Sequence, residues 1–227
     1  MKKWTDRIET PIQAELICYD VNGIQIVFGV TEEKELKLFH FSRAPFDAEN
    51  LCRKPDNWWP MEGMREAQIK ESFQLVQVNF SGYNRPYEKH GNKYIVTAPG
   101  FMLKFDSISE ERNENGDVLR IVQKDTVTGA KVESVMQFFD GIPVARMYNT
   151  VTNEGKEDQT LEYISSFSYW GIEKEHKAGI PEFVSSDDKM SMVVVHNGWQ
   201  KELTVKKYRF ADLGMAQTQP HNCLLYT

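Results

Sequence analysis

The sequence predicts an all-β fold of antiparallel strands arranged as a large sandwich, and three observations carry that expectation. Residues 117–170 hold four apolar-rich runs, dominated by β-branched and aromatic residues, at nearly even spacing. The breaks between runs hold turn residues: 125–129, Asp140-Gly141 and Asn153-Glu154-Gly155. Asp-Gly supplies the positive φ that tight hairpins require. Within the runs the side chains alternate, and no stripe of 3.6-residue period appears. In the last run Leu161, Tyr163, Ser165 and Phe167 fall on one face, and Glu162, Ile164 and Ser166 on the other. The stretch therefore reads as a meander with one face packed and the other partly wet.

Taken in order, the first strand is expected at residues 16–19, turned by Val21-Asn22-Gly23. Ile24, Ile26, Phe28 and Val30 alternate with Gln25, Val27 and Gly29 in a second strand, and 36–41 make a third. Residues 42–71 change character, with proline, acidic residues and Trp58-Trp59-Pro60 but no sustained period. An ordered loop across one end of a sheet fits that composition, since long loops inside a domain are usually functional or disordered and tryptophans favour order. Strands resume at 73–80. After a polar connection over 83–91 they continue at 93–97 and 101–107, hinged at Pro99-Gly100. Residues 110–116 read as an acidic connection ending in the Asn115-Gly116 hairpin turn. The meander follows at 118–124, 131–139, 144–152 and 161–167. Residues 173–181 are a charged excursion with room for one helical turn, and 190–196 and 203–210 pair across Asn197-Gly198. Ten or more strands and almost no helix are expected.

The chain has 227 residues, 41% of them hydrophobic and 12% aromatic, which suffices for the core of a single β domain without disulfides. The net charge of −6 argues against a general nucleic-acid or anionic-membrane surface, because both require clustered cations. Cys18, Cys52 and Cys223 are odd in number and form no C-x-x-C pair, so neither a disulfide framework nor structural zinc is expected, and no cofactor is. The opening MKKWTDRIETPIQ has no apolar stretch after its basic residues, and no run approaches the roughly 20 apolar residues of a membrane span. A soluble, cytoplasmic protein is the expectation.

Asp125, Thr128, Gly129, Phe139, Asp140, Val144, Arg146, Asn153, Gly155 and Ser165 form an ordered pattern. Asn197-Gly198-Trp199-Gln200-Lys201-Glu202 and residues 218–222 (TQPHN) follow it. Together with 91–100, these stretches resemble the N-terminal β-supersandwich of family 36 glycoside hydrolases, the α-galactosidase (melibiase) group, over about residues 73–227. The resemblance implies a galactose mutarotase-like supersandwich. It also implies α-galactoside saccharides as substrates of the parent enzyme and a downstream (β/α)₈ barrel that carries two catalytic aspartates of a retaining mechanism. It further implies homo-oligomer contacts. The chain stops where the family continues with more strands of the same domain, so a sandwich incomplete at its C-terminal end is expected, with no catalytic residue of its own. Where the family has G-D-F-R-x-P, this chain has Glu62-Gly63-Met64-Arg65-Glu66-Ala67: Arg65 matches and Gly63 replaces the aspartate.

Trp58, Trp59 and Arg65 are the candidate substrate-binding residues. Aromatic faces stack on sugar rings, and an arginine fork donates to hydroxyls. The alternative is a Trp pair that plugs one end of the sandwich. In the family the corresponding loop reaches a neighbouring subunit's active site. The adjacent carboxylates Glu110-Glu111 and Asp187-Asp188 are expected on opposite faces or in solvated loops, not facing each other as a glycosidase requires. The histidines His40, His90, His176, His196 and His221 are scattered and read as satisfied or surface groups, although related sandwiches use His to open sugar rings. Trp199 reads as a core or interface aromatic. Lys201, Lys206, Lys207 and Arg209 read as a solvated face or a guarded edge. An aldose epimerase-like enzyme and a carbohydrate-binding module are the rival readings.

Overall fold

A computed structural model describes residues 1–9, 12–48, 73–83, 98–169, 191–198 and 201–209. They belong to two units: Met1–Leu51 with Glu62–Trp170, and Cys52–Met61 with Gly171–Thr227. The described elements are nearly all antiparallel strands, as expected.

In the first unit, β1 (Lys2–Ile8), β2 (Ala14–Val21), β3 (Ile24–Val30) and β4 (Leu36–Ser42) form a four-stranded sheet in that order. The β2–β3 turn is Asn22-Gly23, with φ of 54° and 78°, the two positive values of a tight primed hairpin. A second four-stranded sheet follows from β6 (Lys104–Asn113), β7 (Gly116–Lys124), β8 (Ala130–Phe138) and β9 (Ala145–Asn153). The inward faces of the two sheets meet in one apolar cluster. Tyr19, Ile26, Phe28 and Leu38 come from the first sheet, and Leu119, Ile121, Met136 and Phe138 from the second.

The segment from Phe73 to Phe80 extends the first layer. The Leu38 amide donates to the Phe73 carbonyl at 2.6 Å, and Lys37 bridges Gln74. Farther on, β5 (Val78–Phe80) pairs with β10 (Leu161–Ile164). The Ser165 and Ser168 amides prolong that ladder onto the carbonyls of Gln77 (2.9 Å) and Leu75 (3.0 Å). Val76, Val78 and Phe80 then cover the far end of the second sheet at Ala130 and Val132. One segment thus meets β4 at its start and residues 160–168 along its length.

Five expectations change. The strand expected over 73–80 is regular only as the three residues of β5, and its earlier part joins β4 through a single bridge at Gln74. The chain begins with β1, which has no apolar alternation; Lys2, Lys3, Asp6 and Arg7 mark a charged edge strand. The acidic stretch after residue 107 continues β6 to Asn113, because Glu110 pairs with Lys3 (2.7 Å) and Glu111 with Arg120 (2.9 Å), on opposite faces of the strand. Pro99-Gly100 lies in a five-residue helix, α1 (Ala98–Met102), so the strand starts at Lys104 and not at 101. The fourth run leaves the meander, since β10 pairs with β5 and not with β9, and the alternation over 161–167 is interrupted: a bulge falls between Leu161 and Tyr163, Leu161 is 44% exposed, and Ile164 and Phe167 enter different apolar clusters.

Beyond its exposed edge strand β1, the first sheet is buried on both faces, since Leu16, Cys18, Val27 and Phe39 on the outward side of β2–β4 are as covered as the inward core. Burial pushes the Cys18 thiol up to about 11, so it stays protonated and unreactive at neutral pH. The outward face of the second sheet is wetter and carries an ion ladder, with Arg120 donating to Glu111 and to Glu133 at 2.8 Å.

In the second unit, β11 (Ser191–Gly198) and β12 (Lys201–Arg209) form an antiparallel hairpin.

Candidate functional site

Trp58, Trp59 and Arg65 lie outside the described residues, as do 93–97, 173–181, Asp187-Asp188, Trp199, His90, His176, His221, Cys52 and Cys223. His196 and Glu202 are placed only as backbone positions of β11 and β12. Among the described histidines, the ring of His40 is buried, with Nε2 at 2.7 Å from the Ala44 carbonyl and Phe46 beside it. It is a satisfied structural histidine. Lys206 and Lys207 of the cationic strand are exposed. The same hairpin exposes Val193, Val195, Leu203 and Val205.

The densest buried polar chemistry among the described residues is a row that the sequence reading did not single out. On β4, Leu36 and Leu38 point into the core, so Glu35 and Lys37 point outward by strand alternation. Yet Lys37 is 1% exposed and Glu35 5%. Charged groups are almost never buried this deeply without a partner. Lys37 Nζ lies 3.2 Å from Glu35 Oε2, and Lys104 Nζ lies 3.5 Å from Glu35 Oε1. A short loop positions Glu35: its amide donates to Thr31 Oγ1 at 3.1 Å, the Thr31 amide donates to the Glu35 carbonyl at 3.1 Å, and Lys34 takes φ of 60°.

The bridge between Lys37 and Gln74 places their side chains on one face. Gln74 Oε1 accepts from Gln77 Nε2 at 2.7 Å, with both amides buried. Val78 and Phe80 face the core, so Asn79 continues the outward row, donating from Nδ2 to Glu162 Oε2 at 2.9 Å. Ser81 Oγ donates to the other carboxylate oxygen at 2.7 Å. The row therefore offers a buried cation, two carboxylates and three amides along one face. Such groups hydrogen-bond polar ligands well, but Glu35, just before β4, and Glu162, on β10, have separate partners and are not arranged as an acid/base pair. The signal was legible as polar residues recurring with strand period inside apolar runs: Glu35-x-Lys37 and Gln77-x-Asn79.

The family-like residues have a different and local role. Asp125 and Thr128 are buried in the β7–β8 turn, where Asp125 accepts from the amides of Val127 (2.9 Å) and Thr128 (3.1 Å) and from the Thr128 hydroxyl (2.6 Å). Gly129 follows at φ 76°, and its carbonyl accepts from the Glu154 amide at 2.8 Å. Asn153 Oδ1 accepts from the Gly155 amide at 2.9 Å. A Cβ on Gly129 would meet the Gly155 Cα at 2.4 Å, so the two turns press backbone against backbone.

Among the described residues no group of three or more His, Cys, Asp or Glu side chains is arranged to hold a metal ion, and no helix is long and apolar enough to cross a membrane. Compared with family models, curated proteins and solved structures, the chain matches none.

Proposed function

We propose that this chain is a noncatalytic β-sandwich domain of an α-galactosidase-like glycoside hydrolase, a scaffold that braces a catalytic barrel and lends Trp58, Trp59 and Arg65 to the rim of its sugar pocket. In this reading the parent enzyme acts on α-galactoside saccharides, the downstream barrel is the chain's main partner, and oligomer contacts complete the pocket. The observation that supports it is the use made of the residues on which the resemblance rests. Asp125, Thr128, Gly129, Asn153 and Gly155 converge on two interlocked turns and act as braces, not as reacting groups. Incubation of the purified chain with a chromogenic α-galactoside is expected to release no product above blank. Turnover abolished by a substitution within residues 1–227 would overturn the proposal.

The rival reading is a carbohydrate-binding module. Calorimetry with galactose separates the two: a scaffold gives no saturable heat, whereas a module binds. Mutarotation of fresh galactose, followed by optical rotation, checks the aldose epimerase-like alternative in the same samples.

A further inference from the structure

Between the two apolar clusters of the first unit, the inward face of the second sheet carries a polar seam. Ile121 and Leu119 point inward on β7, so Gln123 does too; Val132 and Met136 point inward on β8, so Ser134 does too. The register pairs Ile121 with Ser134 and Gln123 with Val132, making Gln123 and Ser134 diagonal neighbours on one face. Such neighbours sit roughly 7 Å apart at their backbones. Gln123 is 4% exposed and Ser134 1%. Neither Gln123 Oε1 nor Ser134 Oγ has a hydrogen-bond partner among the described residues. Asn149, directly opposite Ser134, directs its Nδ2 instead to the carbonyls of Ser165 and Ser166. The seam thus presents a carbonyl-type acceptor and a hydroxyl at diagonal positions of one face, with apolar residues above and below.

We propose that Gln123 Oε1 and Ser134 Oγ share one ordered internal water, which donates to the carboxamide oxygen and exchanges a hydrogen bond with the hydroxyl. The chemistry matches an internal water: buried polar groups in folded proteins are paired, and a buried water typically satisfies two to four of them. The site is independent of the glycosidase reading, since it requires only the register of β7 and β8.

A crystal structure that resolves solvent tests it. The expected result is a solvent peak within about 3 Å of both atoms. The same peak should be absent in the Gln123→Met, Ser134→Ala double variant. The double variant should also melt no lower than the less stable of the two single variants, because removing both partners of a bridge costs less than stranding one. A carboxamide rotated so that Gln123 Nε2 bonds Ser134 Oγ directly, or a seam without a solvent peak, overturns the proposal. If the variants do not fold, the parent chain's density decides alone.

Discussion

Gly129→Ala is expected to lower the melting temperature by about 6–12 °C, from a cost of about 3 kcal/mol at roughly 2–4 °C per kcal/mol for a chain of this size. Two effects add. The residue sits at φ 76°, where an L side chain costs roughly 1–2 kcal/mol. The new Cβ would also lie 2.4 Å from the Gly155 Cα and 2.5 Å from its amide nitrogen, both backbone atoms that cannot rotate away. Overpacking of that kind typically costs a further 1–3 kcal/mol. Gly141 provides the control, with the same φ of 76° and open space around its Cβ position. Gly141→Ala should therefore show only the conformational part, about one to two thirds of the loss. Equal losses at the two sites, read by thermal melts, would mean that the interlocked turns do not carry the stability assigned to them.

Lys37→Met is expected to destabilise by about 3 kcal/mol, because removing one partner of a buried pair leaves an uncompensated charge. The buried Glu35 carboxylate would keep Lys104 at 3.5 Å, and that remaining cation, although 42% exposed, places the loss at the low end of the range. Replacing both residues, Glu35→Leu with Lys37→Met, should recover most of it, since a buried pair exchanged for apolar groups is often neutral. Denaturant unfolding of the single and double variants gives the coupling directly. Additive losses would show that the pair is not a unit.

The strands with apolar alternation and a strong turn were legible in the sequence: β3 is predicted and found at 24–30, because Asn22-Gly23 fixes where it starts. β1 was not, because an edge strand is defined by the hydrogen bonds its neighbour offers, and its own Lys2, Lys3, Asp6 and Arg7 carry no period. The polar row was half legible. The recurrence of Glu35 with Lys37, and of Gln77 with Asn79, has strand spacing, but an alternating polar face is normally read as solvated. Burial of that face depends on packing from elsewhere in the chain, which no local window contains. The contact of Gly129 with Gly155 is likewise tertiary: each glycine reads as an ordinary turn residue, and only the packing of the β7–β8 turn against the loop after β9 explains why a side chain at Gly129 would run into backbone.

One segment, Phe73–Phe80, joins β4 to β10, makes a continuous layer opposite the second sheet, and aligns the polar row. Residue-resolved hydrogen exchange on the intact chain tests it most directly. The amides of Leu38, Ser165 and Ser168 each donate to this segment, at 2.6, 2.9 and 3.0 Å. They should exchange as slowly as the amides of Phe28 and Met136 in the core, because all would open only in the same cooperative unfolding. Exchange of these three at the rate of exposed loops, with the core amides still protected, would contradict the continuous layer.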